Sequence, residues 1–219
     1  MSRRQVLEDV AAGRLAPAEA ARLLDTPSPE VRAVRLRSAY QAIEVVADPA
    51  VADLLVVVGT HRVERDGDVL VIGDAASEGY RFGTWQAPRR LAVRVNPRLD
   101  VEAEVTGALL TIRGMTGSVR AIVQAGSAGI EAVSGPLDLR VTSGSAVVAG
   151  APRDGDWRLR CESASLELVL DADADVTVAV ASRHSSVDAL GAGTRAVLGS
   201  GAHAIDVEAA FSDVLVRTP

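Results

Sequence analysis

Between Val101 and Leu190 a strand-like run of five residues and a small polar turn recur every eighteen to twenty residues. The runs are VEAEV (101–105), VRAIV (119–123), LDLRV (137–141), WRLRC (157–161) and VTVAV (176–180), each followed by a turn and a second apolar run. Self-similarity at such a period belongs to repeat architectures, in which one unit buries its apolar face only against its neighbours. Every unit alternates as a strand does. The expected class is therefore mainly β: a single-stranded β-helix, or solenoid, preceded by a short N-terminal helical hairpin.

Stacking the runs in chain order predicts three inward files. They are Val101, Val119, Leu137, Trp157 and Val176; Ala103, Ala121, Leu139, Leu159 and Val178; and Val105, Val123, Val141, Cys161 and Val180. The outward file reads Glu102, Arg120, Asp138, Arg158 and Thr177, and its charges alternate in sign. Strand neighbours lie about 4.8 Å apart, so this order sets opposite charges side by side and helps to select the register. A second outward file, Glu104, Ile122, Arg140, Arg160 and Ala179, is less regular. Small residues at the turns (Gly107, Gly126, Gly144, Ser163, Ser182) suit corners where backbone meets backbone.

A core must exist, because 219 residues suffice to bury one. Aromatic content is only 3%, so the core has to be Val, Leu, Ile and Ala, which favours thin stacked strands over a roomy pocket. The net charge of −6 argues against a nucleic-acid backbone as partner. One cysteine, Cys161, excludes an internal disulfide and reads as a small buried hydrophobe. MSRRQVLEDV holds no uninterrupted apolar region, and VADLLVVVG (51–59) is far shorter than a membrane span. The expected location is cytoplasmic, without direct membrane insertion, and attachment through a membrane-bound partner stays open.

Residues 2–12 and 17–25 read as two short helices. Ser2 and Gln5 have capping-box spacing, Gly13 ends the first helix, and Pro17 opens the second. Val6, Leu7 and Val10 make one apolar face, and Leu23 and Leu24 lie on the other. So small a pair is not stable alone, so it is expected to dock on a protein partner or on a second copy. The domains are then 1–27, a linker at 28–30, and 31–219. Strands follow at VRAVRLR (31–37), AIEVV (42–46), LLVVV (54–58), HRVER (61–65), VLVI (69–72) and RLAVRV (90–95). Between them DAASEGYRFGTWQAP (74–88) gathers Tyr80, Phe82 and Trp85, read as a plug for an open end of the stack or as a contact surface. After Leu190 the register loosens, and IDVEAAFSDVLVRTP (205–219) reads as the last coil and its cap.

These residues resemble a bacterial domain family of unknown function named for putative adhesins. The resemblance rests on HRVERDGDVLVI, on LAVRVNP, on repeats of the form V-x-x-x-SG-S-x-V and on a closing SDVLV, and covers residues 31–219. QVLEDVAAGRLAPAEAARLL resembles the small SHOCT-like helical module that precedes this domain in some bacterial proteins. Ala108, Ala164 and SRH (182–184) depart from the turn pattern. The resemblance implies a single-stranded β-solenoid in the style of bactofilins, linked in some members to cell-envelope stress, and carries over no catalytic residue.

Four patterns suggest chemistry and fall short of it. Asp171, Asp173 and Asp175 start like a calcium loop, but Val176 and Ser182 stand where it needs Gly and Glu. GAGTRA (191–196) spells a dinucleotide fingerprint without the helix that must follow. Ser182, His184, Ser185 and Asp188 read as a polar turn; with His61 and His203 scattered, no zinc pattern forms. Glu102 and Asp138 share a face, with Arg120 between them, which fits a charge ladder better than a glycosidase pair. The expected function is a non-enzymatic scaffold or interaction module that binds a protein partner or itself, with no cofactor, metal or nucleic acid. The alternatives are a carbohydrate-binding, adhesin-like module with a glycan ligand and, more remotely, a polysaccharide-active enzyme.

Overall fold

The computed structural model describes residues 31–59, 61–74, 90–191 and 193–219, with Ala12, Arg14 and Ala16 besides. The helical pair expected before residue 28 lies outside the described residues, as do Val6, Leu7, Val10, Leu23, Leu24, Tyr80, Phe82 and Trp85. Val31–Pro219 form one compact unit. Every regular element described in it is a strand.

The repeats do what their alternation dictates. Each contributes one strand to a 10-stranded sheet, called A here, and after a tight corner one strand to a 9-stranded sheet, B. The pair is called a rung. The central rungs are β7 (Asp100–Thr106) with β8 (Leu109–Arg113), β9 (Val119–Gln124) with β10 (Ser127–Glu131), β11 (Leu137–Thr142) with β12 (Ser145–Gly150), and β13 (Trp157–Glu162) with β14 (Ser165–Leu170). Neighbouring rungs pair in parallel in both sheets. Val101, Val119, Leu137 and Trp157 stand in register, as do Ala103 to Leu159 and Val105 to Cys161. These files and their counterparts from sheet B (Ile112, Ile130, Val148, Leu168) bury into one common core, where each large aliphatic chain contributes about 1.5–3 kcal/mol.

The ends depart from chain order. β15 (Val176–Arg183) and β16 (Ser186–Ala189) follow β14 in sequence but do not pair with β13 and β14. The chain leaves a slot, runs β17 (Arg195–Leu198) antiparallel along β15, and returns as β18 (His203–Ala210) and β19 (Asp213–Arg217). β18 then lies between β13 and β15, and β19 between β14 and β16. Two expectations are thereby corrected. The segment 205–219 is not the last coil, because β15 and β16 lie outside it. The fifth members of the inward files are Ile205, Val207 and Ala209, with Val178 and Val180 one step further and in a register shifted by two.

The N-terminal end has the same arrangement in reverse chain order. β1 (Ala33–Ala39) and β2 (Ala42–Ala47) lie between β7 and β8 on one side and, on the other, β5 (Val69–Asp74) and β6 (Arg90–Val95). β4 (His61–Asp66) and β3 (Leu54–Val58) close the two sheets as antiparallel edge strands. Asp66, Gly67 and Asp68 join β4 to β5 in a hairpin, with Gly67 in the left-handed region. Short edge strands limit the row of unpaired backbone groups that could template further pairing.

Candidate functional site

With the interior filled by apolar files, the functional groups are on the outer faces and corners. On sheet A the outward file runs Arg35, Glu102, Arg120, Asp138, Arg158, Asp206 in register. The expected sign alternation therefore extends to both inserted rungs, with Asp206 in the place expected for Thr177. Arg35 Nε donates to Glu102 Oε2 at 2.6 Å, and this contact raises the Arg35 guanidinium above its ordinary value. In the second file Arg37 meets Glu104 at 3.5 Å, and Arg160 meets Asp138 at 3.2 Å and Glu208 at 3.4 Å. Arg140 and Arg160 are like charges in register, so these carboxylates are what allow the two to stand together.

Small outward residues on β15 and β18, Ala181 and Ala210, lie beside long ones and leave a shallow groove of about 470 Å³. Arg140, Arg160, Glu162, Arg183 and Glu208 line it. Such a mixed-sign surface can hold a zwitterionic or polar partner by exposed ion pairs, each contributing at most about 1 kcal/mol. On sheet B the outward file runs Leu109, Ser127, Ser145, Ser165, Asp213, Ser186. Ser127 and Ser145 share a hydrogen bond of 3.0 Å. Leu109, Val147 and Leu215 are exposed on this flatter, less charged face.

Among the described residues, each corner where a sheet-A strand turns directly into its sheet-B partner has one residue with positive φ. In spatial order these are Tyr40, Gly107, Ala125, Ser143, Ser163, Phe211 and His184. The left-handed region costs a residue with a Cβ about 1–2 kcal/mol. An inter-rung hydrogen bond accompanies it: the N–H of Ala125 donates to Thr142 O at 2.9 Å, and Ser143 does the same to Glu162 O. At two of these corners the next residue is glycine for another reason. A Cβ on Gly126 would lie 2.2 Å from Ala108 O, and one on Gly144 would lie 2.1 Å from Gly126 O. Close approach therefore explains Gly126 and Gly144 as expected, whereas Ser182 is within β15 and its corner falls to His184.

Two ends of this corner file hold exposed aromatics. Tyr40 is 66% exposed, with its ring over Gly107, and Phe211 is 62% exposed. Phe211 stacks on His184 with ring centroids 5.1 Å apart and planes within 4°. The aromatic surface expected at Tyr80, Phe82 and Trp85 lies outside the described residues, and Tyr40 and Phe211 are additional to it. Their alignment with Ser143-Gly144 at the corner was the available signal, since a bulky ring there has no interior to enter.

The other patterns resolve locally. The Asp175 carboxylate accepts from Ser200 Oγ, from Gly201 N–H at 2.6 Å and from Ala202 N–H at 3.1 Å. The Ser200 hydroxyl, then these amides, hold its carboxyl below the ordinary value. It braces a turn and is not merely solvated. Asp173 meets Arg153 at 3.2 Å. Among the described residues no group of three or more His, Cys, Asp or Glu side chains is placed to hold a metal ion. GAGTRA leads into strand β17, not a helix. The Ser185 hydroxyl donates to Arg183 O and accepts from Ser212 N–H, and Asp188 accepts from Gly191 N–H. Glu102 and Asp138 each engage an arginine. Cys161 is buried, and burial pushes its thiol up to about 11.

No family model matches the chain, and no curated protein matches it in sequence. A solved structure of a putative cell adhesion protein from Clostridium sporogenes superposes with a TM-score of 0.46 at 11% identity, covering 88% of this chain and 94% of its own. A likeness at that level assigns neither fold nor function.

Proposed function

We propose that the chain is a non-enzymatic interaction scaffold, a β-solenoid whose flat outer faces are its working surfaces. Residues 1–27 act as a helical module that recruits a protein partner or a second copy. The supporting observation is the uninterrupted in-register parallel pairing from β1 to β15, which turns apolar side chains inward and leaves the polar groups on repetitive faces. Light scattering during size-exclusion chromatography tests the recruiting role on the full chain and on a variant carrying Leu23→Asp and Leu24→Asp. The expected result is an assembled species that the two charges dissolve. Equal masses for both proteins, with no difference in partner capture, would remove the role from these residues.

A second reading, a glycan-binding module, is favoured by the exposed rings of Tyr40 and Phe211 on one corner file. Sugar C–H groups stack on such faces. A glycan array should then give signals that Phe211→Ala and Tyr40→Ala weaken, and an array without signal refutes this reading.

A further inference from the structure

The C-terminal rung occupies a slot that four strands define. β13 and β15 present facing edges in sheet A, and β14 and β16 do so in sheet B. The chain builds both sides before the rung that fills them, so the unfilled form carries four unpaired parallel edges, which are templates for strand addition. We propose that this slot also accepts the same rung, residues 203–217, from a second copy, giving a two-fold dimer by reciprocal exchange. The inference does not depend on the scaffold reading.

The contacts that seat the rung come from its two neighbours. At its start, Ala204 N–H donates to Asp156 Oδ1 at 2.8 Å, and His203 N–H donates to Asp175 O at 3.1 Å. At its corner the buried Ser212 hydroxyl accepts from Ala164 N–H at 3.2 Å, and Ser212 N–H donates to Ser185 Oγ at 3.1 Å. A second copy can remake every one of these bonds, which is the condition that makes exchange inexpensive.

Charge selects the occupant. Asp206 stands beside Arg158, and Glu208 meets Arg160. A rung such as β1, with Arg35 and Arg37 in the outward positions, would oppose like charges, which is unfavourable. The stretch that must open is short: only residues 199–202 join β17 to β18. Gly199 and Gly201 are in the left-handed region there, and the Asp175 carboxylate gathers the turn through Ser200, Gly201 and Ala202. This clasp favours self-insertion, and the high effective concentration of a tethered rung favours it further. Exchange is therefore expected when folding occurs at high protein concentration.

The lone cysteine supplies the readout, because Cys161 and Ala209 are register partners across β13 and β18. The full chain carrying A209C is refolded over a range of concentrations under oxidant or a short bis-alkylating reagent, then run on a non-reducing gel. An intrachain link is expected at low concentration, with a covalent dimer that grows as concentration rises. Adding D175N should raise the dimer fraction several-fold at fixed concentration, and C161A should abolish the cross-link. As a check independent of these variants, two mass-tagged wild-type samples are refolded together and separately. Mixed dimers only after joint refolding support exchange; intrachain links and monomers alone at every concentration overturn it.

Discussion

The rungs from β7 to β14 and the rungs at the two ends share strands, corners and a core, yet differ in how the chain visits them. In the centre each rung lies beside its predecessor. At the C-terminal end the chain skips a position, lays down an antiparallel edge in sheet A and then fills the gap; at the N-terminal end it starts one rung inside, and β3 to β6 then cover that first rung. A rung's shape is thus a local property set by period-two alternation, while its neighbours are chosen by what its outward side chains tolerate. The ends also meet a need that the centre does not have, because they must conceal sheet edges.

Deleting residues 203–219 should have the largest effect on the contrast between ends and centre. β15 and β16 then lose their only parallel partners. Hydrogen exchange should show protection lost over 157–198 and kept over 100–150; retained protection in β15 would mean that the slot does not matter. Trp157→Ala comes next. Trp157 is fully buried between Leu137 and Ile205, and its Nε1–H donates to Gly135 O at 3.0 Å. Urea unfolding should register a loss of about 3–5 kcal/mol, felt first in the inserted rung.

Gly144→Ala sharpens the contrast at the corners. The new methyl would meet backbone, so about 1–3 kcal/mol should be lost, against about 1 kcal/mol for Ser185→Ala at the equivalent end corner. Acid separates the two regions further. The Asp175 carboxyl is held below its ordinary value in the folded chain. Its contribution is therefore complete above the unfolded carboxylate range and is lost as pH falls through the lower folded value. Exchange at residues 199–210 should quicken there before it does in β9 to β12. The smallest effect belongs to Asp206→Ala, a few tenths of a kcal/mol for an exposed charge.

Much of this organisation could be read from single residues. Alternation alone placed Val119 against Leu137 and Cys161 in the interior. It failed at the fifth rung, where Val176 had been set beside Trp157 and Ile205 stands instead. The missing signal lay in the outward positions. Thr177 and Ala179 carry no charge to answer Arg158 and Arg160, whereas Asp206 and Glu208 do. In the same way Arg35 and Arg37 answer Glu102 and Glu104 from a segment more than sixty residues away. The groove was not legible, since it depends on which rungs become neighbours, whereas Tyr40 and Phe211 were marked by their corner positions.

By itself, then, the sequence determined the strands, their inward faces, the corner glycines and the apolar character of the core. All of these follow from contacts within one repeat or from a periodicity that any neighbour would satisfy. The tertiary structure alone decided the order of the rungs, the position of the first and last rungs of 31–219 one step inside the stack, and the side chains that share a surface. Parallel strands with similar apolar faces are nearly interchangeable as neighbours, so only the assembled stack, with its charges in register, distinguishes among them.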